Sequence, residues 1–229
     1  MNVPNIKGLV FDAYGTLFDV FSVTALCERL FSGKGDALAH LWRTKQLQYT
    51  FLRSLMGRYM DFWQLTEDGL VYAAKSLNLE LTAGKRQQLM ESYLHLTPFP
   101  DVKPGLEALK KLGFRLAILS NGTPDMLNAV AKDAGFDTLM DAIISVDEVK
   151  IFKPSPRVYK LAPERLKVDA GALGFVSSNS WDVSGAASTG LTTFWIQRSV
   201  TEPPEELGFA ASRVVRAITD LPPLLRPSR

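Results

Sequence analysis

The apolar segment Gly8-Leu9-Val10-Phe11 runs straight into Asp12, and Ala13-Tyr14-Gly15-Thr16 follows at once. A chain presents a single carboxylate in this way at the carboxyl end of a buried parallel strand, where open α/β sheets put their ligand sites. Such a carboxylate can displace a leaving group from carbon and form an enzyme-bound ester, which splits a hard hydrolysis into two easier steps. It can equally cap the Gly15-Thr16 turn. Lys153, before Pro154, would hold a neighbouring acid ionised or simply reach solvent from a strand end. Tyr159, one helical turn past Pro156, would face the same pocket or fill the core.

Ser120-Asn121-Gly122 precedes Thr123-Pro124, an N-cap and N1 pair. The loop is either an anion cradle, with the Ser120 hydroxyl and free backbone amides, or an ordinary turn. Ser177, Asn179 and Asp182 form a last group. Asp182 reads as a water-activating carboxylate that Ser177 and Asn179 hold, or as a first-turn acid meeting the helix dipole. Arg43 lies in a helical stretch, either ion-paired at the surface with Glu28 or Asp36 or fixed as an anion donor. Trp181 offers a ring edge to an anion or fills the core.

Short apolar runs at 7–12, 114–119, 142–146, 172–176 and 192–196 read as strands, with helices between the later ones. That alternation predicts an α/β fold with a doubly wound, Rossmann-like parallel sheet. Residues 22–95 lack strand character: Leu38, Leu41, Lys45 and Gln48 mark a helix, and Phe51, Leu55, Tyr59, Phe62 and Trp63 continue its apolar stripe. Further helices run through Leu70–Leu77 and Arg86–Leu94. The organisation expected is a core of 1–18 and 98–229 with an inserted helical cap of 19–97. Leu106, Leu109 and Leu112 form one helix face ending at Gly113, and the Thr123-Pro124 helix ends near Gly135. Pro163, inside the apolar pattern that starts at Ser155-Pro156, predicts a kink or an early stop.

With 229 residues and 46% apolar content, the chain can bury one core and a smaller satellite. Its 26 basic and 24 acidic side chains are interspersed, with no basic run to suggest nucleic acid. The lone Cys27, at helical spacing with Val23, Leu26 and Leu30, reads as a buried inert thiol and excludes an internal disulfide. His40 and His95 form no ligand pair, and His40 reads as a solvated residue. The residues from Met1 to Lys7 show no charged leader with a long apolar stretch, so neither a signal peptide nor a membrane span is expected. The default is a cytoplasmic protein.

The chain resembles the haloacid dehalogenase superfamily and, within it, the type II L-2-haloacid dehalogenases. Asp12-Ala-Tyr-Gly-Thr16, Trp42-Arg43-Thr-Lys-Gln46, Leu119-Ser-Asn-Gly122, Phe152-Lys-Pro154 and Ser177-Ser-Asn-Ser-Trp-Asp182 carry the resemblance in that order along nearly the whole chain. It implies hydrolysis of short L-2-haloalkanoates to D-2-hydroxy acids through an ester on Asp12, with no cofactor and no metal. It sets Lys153 beside Asp12, retains Thr16 in the nucleophile motif, and puts the substrate carboxylate on Ser120 and the loop amides. It aims Arg43 at the departing halide together with Asn121 and Trp181. Tyr14, Leu47, Phe62 and Trp181 become apolar walls, and a homodimer is implied.

Phosphatases of the superfamily carry a second acid two positions after the first, and a metal-dependent one has an Asp near Ser178; here Tyr14 and Ser178 stand instead. A magnesium-dependent phosphatase or phosphomutase is the nearer rival. A phospho-acceptor signalling module is the further one, disfavoured by the helical insertion and the lack of an acidic pair beside Asp12. Thr44, where glutamine is frequent in these dehalogenases, and Ser180, where alanine is, lie next to site residues. They bear on substrate size and halogen preference.

Overall fold

The computed structural model describes residues 6–201 and 203–225. The reading of Met1–Asn5 as part of a leaderless start lies outside the described residues. Among those residues, six strands form one all-parallel sheet: β1 (Gly8–Phe11), β2 (Arg115–Ser120), β3 (Ala142–Ser145), β4 (Leu173–Ser177), β5 (Thr192–Ile196) and β6 (Arg213–Val215), in spatial order β3-β2-β1-β4-β5-β6. The chain winds outward to one side of β1 and then to the other, so the crevice for ligands opens at the carboxyl ends of β1 and β4. Register fixes what lines it. Phe11 sits opposite Ile118 on one side and Val176 on the other. Asp12, Ser120 and Ser177 therefore reach the same edge.

The sheet is hydrophobic because both faces are covered. Val102–Lys111, Pro124–Asp133, Pro156–Tyr159, Leu161–Leu166 and Ser180–Ala187 are its main helices (α5 to α9), after α1 to α4 described below. Leu9, Val10, Phe11, Leu116, Ile118, Phe175, Val176 and Phe194 are wholly buried between these layers. Five strands lie within a residue of the expected runs. The sixth, Arg213–Val215, was not anticipated: at three residues on an edge it carries no periodic signal.

Helices α1 (Thr24–Leu30), α2 (Gly35–Leu55), α3 (Phe62–Ser76) and α4 (Ala83–Ser92) fill the stretch after β1. The apolar stripe does not run on through it. Helix α2 stops at Leu55, which is 85% exposed, Gly57 turns with φ +63, and Asp61 caps α3 by accepting from the Gln64 amide. The chain leaves and re-enters the sheet layer side by side: Phe99 N donates to Leu17 O and Asp19 N to Thr97 O.

At Pro163 the expected stop occurs, but a new helix follows. Helix α7 ends at Tyr159 and α8 starts at Leu161. Pro163 then falls in the first turn of α8, where a missing N–H costs nothing. Cys27 is buried, as expected of a packing thiol. Among the described residues, no helix is long and apolar enough to cross a membrane.

Candidate active site

Asp12 leaves β1 with its amide donating to Val176 O at 2.9 Å, and a tight turn follows in which Gly15 takes φ +91. The turn folds Thr16 back so that its hydroxyl donates to Asp12 Oδ2 at 2.9 Å. The same oxygen accepts from Asn179 Nδ2 at 2.9 Å. Lys153 Nζ lies 3.0 Å from Oδ1. Asp12 is 6% exposed. Three side chains from three separate segments thus fix both oxygens of a nearly covered carboxylate by charge-assisted and neutral hydrogen bonds.

Lys153 also lies 2.9 Å from Asp182 Oδ2, so one buried ammonium bridges two carboxylates. Burial alone would depress Lys153, but Asp12 and Asp182 outweigh it and hold the amine above its ordinary value. Asp182, in the first turn of α9, accepts a 2.7 Å hydrogen bond on Oδ1 from Tyr159 Oη. Gly185 makes room for that phenol: a Cβ there would stand 2.5 Å from Tyr159 Oη. Burial pushes Asp182 up to about 6, against the pull of Lys153. Burial likewise keeps Tyr159 protonated, well above its ordinary range.

These contacts revise one expectation. Lys153 and Tyr159 hold the Asp182 carboxylate, whereas Ser177 and Asn179 do not. Ser177 Oγ accepts from Asn179 N at 3.1 Å, and the Asn179 amide serves Asp12 and Tyr14 O. The two residues therefore position the nucleophile's partner. Ser178, where a phosphatase would carry an acid, donates its hydroxyl to Gly15 O and its amide to Thr16 Oγ1, locking the turn.

Arg43 projects from α2 towards the sheet and is 8% exposed. The surface ion pair is excluded: Glu28 accepts the amides of Gly33 and Gly35, and Asp36 pairs with His40. Arg43 Nη1 donates to Gln46 Oε1 at 2.7 Å, and Nη2 to Tyr14 O at 3.2 Å. Gln46 Nε2 then donates to Thr66 Oγ1 at 2.6 Å, and Thr66 to Phe62 O, so α3 braces the guanidinium through α2. Among the described residues no carboxylate pairs with Arg43. Gln46 stood in the sequence motif that begins at Trp42 but was given no role there, although it lies three residues after Arg43 on the same face, and Thr66 was not singled out from sequence.

Tyr14 is buried against Phe62, their ring centroids 5.5 Å apart, and its hydroxyl has no partner among the described residues. It lies over Gly122, where an added Cβ would stand 3.0 Å from that oxygen. Ser120 Oγ accepts from Gly122 N at 3.3 Å, and Asn121 Oδ1 accepts from Lys153 N at 3.1 Å. This leaves the Asn121 amide nitrogen as the end that can donate to a ligand. Leu47 is half-buried on α2, and Trp181 meets Phe51 edge-on with centroids 5.2 Å apart.

Thr44 does not face the site: it is exposed and donates to His40 O. Ser180 bonds to Glu205 instead of to the reacting groups. His40, largely exposed, stacks on Phe21, and His95 pairs with Asp133. Among the described residues, no group of three or more His, Cys, Asp or Glu could hold a metal ion.

This edge of a parallel sheet, with one acid directly after β1 and a lysine-bridged second acid on α9, defines a hydrolase-type site. A family profile described as haloacid dehalogenase-like hydrolase matches residues 6–190. The chain is 50% identical over 194 residues to an (S)-2-haloacid dehalogenase of Pseudomonas sp. (strain YL), covering 85% of this chain and 84% of that protein. To (S)-2-haloacid dehalogenase 2 of Pseudomonas sp. (strain CBS-3) it is 45% identical, covering 97% of each. The structure superposes with TM-score 0.91 and 40% identity on L-2-haloacid dehalogenase from Xanthobacter autotrophicus with chloropropionic acid covalently bound, covering 96% of this chain and 98% of that one. The chain belongs to the haloacid dehalogenase-like hydrolases.

Proposed function

We propose that the protein hydrolyses the carbon–halogen bond of short L-2-haloalkanoates, giving D-2-hydroxy acids and halide. One observation carries this reading beyond family membership. The lysine-bridged pair Asp12 and Asp182 has Tyr14, not an acid, beside the nucleophile. A departing alkoxide needs a proton, whereas a departing halide does not.

In the first step an Asp12 oxygen attacks C2 from the side opposite the halogen. The C–O bond forms as the C–X bond breaks, halide leaves with the electron pair, and C2 inverts. The guanidinium of Arg43 and the amide of Asn121 are the fixed donors for the developing anion, with the edge of Trp181 alongside. Ser120 and the loop amides ahead of α6 take the substrate carboxylate. The unpartnered Tyr14 hydroxyl lies beside that loop, able to donate to it, while the Tyr14 ring, Leu47 and Phe62 wall the alkyl side.

In the second step Asp182 takes a proton from water as its oxygen attacks the ester carbonyl. The acyl C–O bond breaks, the proton passes from Asp182 to the departing alkoxide, and Asp12, freed as the acid without C2 being touched, loses the second water proton to solvent to become the nucleophile again. Thr16, Lys153 and Asn179 orient Asp12 throughout, and Tyr159 orients Asp182. The donor set does not suit magnesium, which wants near-ideal octahedral oxygen ligation. Ser178 is turned into the backbone, and Lys153 already stands between the two carboxylates.

The test is halide release from each enantiomer of 2-chloropropionate in EDTA. The S enantiomer should turn over at full rate and yield R-lactate. Magnesium-dependent phosphate-ester hydrolysis without halide release would overturn the proposal. A cap of 19–97 over a core of 1–18 and 98–229 remains the proposed organisation. A homodimer is also proposed, in keeping with the exposed Leu52 and Leu55 on α2, Met56 just after it and Tyr72 on α3; light scattering tests it.

A further inference from the structure

A cavity of about 570 Å³ adjoins the site, walled by Phe51, Ile151, Phe152, Trp181 and Leu207. Its volume lies in the roughly 300–1,000 Å³ range of small-molecule sites. Lys153 and Trp181 belong both to this cavity and to the site just described, so the two spaces share a wall. The polar members, Ser54, Lys153, Ser155 and Glu205, are few against the apolar walls. The outer wall is not a regular element. It belongs to the segment after β5, and what ties it down is reciprocal: the Ser180 hydroxyl donates to Glu205 Oε2 at 2.6 Å and accepts from Glu205 N at 3.2 Å. Ser180 opens α9, one residue before Trp181 and two before Asp182, so the strap is fastened to the helix that carries the site.

We propose that this cavity is a subsite for the alkyl tail of 2-haloalkanoates longer than propionate, and that the Ser180–Glu205 clip positions Leu207 as its outer wall. The inference rests on the haloacid reading above. With the carboxylate at the Ser120 loop and the halogen towards Arg43 and Asn121, the first carbon of the alkyl substituent lies against Tyr14, Leu47 and Phe62, and a longer tail runs on beyond them along Trp181 into this cavity. An apolar tail there would bury against Phe51, Ile151 and Leu207, whereas an anionic tail would meet the Glu205 carboxylate. Leu207 is 56% exposed in the absence of a tail. An exposed leucine held by a two-point clip over an apolar cleft is a wall that gains burial when the cleft fills.

The experiment compares kcat/KM for S-2-bromopropionate, S-2-bromohexanoate and S-2-bromooctanoate in the wild type and three variants. In the wild type, the longer acids should be at least as good substrates, each newly buried methylene being worth up to about fourfold. Leu207→Trp fills the cleft. It should raise KM for the octanoate about tenfold or more with kcat little changed, and leave the propionate within about twofold. Ser180→Ala, which loses the clip, should raise KM selectively for the long acid. Glu205→Gln keeps an acceptor and the backbone amide, and should behave as the wild type.

Wild-type turnover of the propionate with none of the octanoate would overturn the subsite. So would equal losses on short and long acids in Leu207→Trp. A Ser180→Ala profile identical to the wild type would overturn the positioning role. Failure of the wild type on the propionate itself would refute the haloacid reading, and the subsite with it.

Discussion

Replacing Lys153 by methionine removes the one cation between Asp12 and Asp182 while keeping a side chain of similar length. The ammonium stands 3.0 and 2.9 Å from the two carboxylates and is 1% exposed. At that separation, with an effective dielectric of about 20, the attraction to Asp182 is roughly 6 kcal/mol, or about four pKa units as an upper bound. Burial already lifts Asp182 to about 6 with the lysine in place. Even a third of the lost attraction carries it past neutrality. Asp12 keeps its Thr16 and Asn179 donors, so Asp182 is the acid that takes up the proton.

The two steps should therefore separate in the Lys153→Met variant. Ester formation should persist at a reduced rate, while ester hydrolysis acquires an acid limb above neutral pH. In the wild type that limb should fall below 6, because esterification removes the Asp12 charge that helps raise Asp182. Rapid quenching followed by intact mass, repeated across pH, measures the decay of the adduct directly. Stability supplies a second readout. A carboxyl raised in the folded state binds its proton more tightly folded than unfolded, so the variant should lose stability as pH rises from about 4 through the folded pKa. Coincident pH profiles for adduct decay in variant and wild type would refute the coupling.

Asp182→Asn should accumulate an ester on the peptide containing Asp12, because the first displacement does not need the water-activating carboxylate; equal loss of both steps with no adduct would count against that division of roles. Arg43→Lys keeps a charge but cannot reach both Gln46 and Tyr14 O, and steady-state turnover should fall roughly a hundredfold while circular dichroism shows the fold intact. Under single turnover in ¹⁸O-water with enzyme in excess, product should be unlabelled and the label should appear in the Asp12 carboxylate; labelled first-turnover product would mean that Asp12 acts as a general base.

Asp12, Ser120 and Ser177 were legible in sequence as candidates because each sits where an apolar run breaks. Strand ends announce themselves by composition: Phe11 before Asp12, Leu119 before Ser120, Val176 before Ser177. Helix starts do so by their caps, as Thr123 accepting from Met126 N illustrates. These are local signals, and the parallel α/β class follows from them. Even Pro163 was local enough to predict a break, although not the helix that resumes after it.

Partnership was not local. Nothing in the spacing of Asp182, Ser177 and Asn179 tells that Tyr159 and Lys153 hold the carboxylate while Asn179 turns to Asp12. Likewise Arg43 reads as a surface residue of a polar helix until α3 supplies Thr66 to brace Gln46, and Ser180 has no visible role until Glu205 arrives from the segment after β5. Periodicity encodes how deeply a residue is buried and in what kind of element. Which polar groups then meet depends on strand register and helix docking. Pairing Phe11 with both Ile118 and Val176 brings segments more than a hundred residues apart to one edge, and only that alignment makes Asp12, Lys153 and Asp182 a single buried charge system.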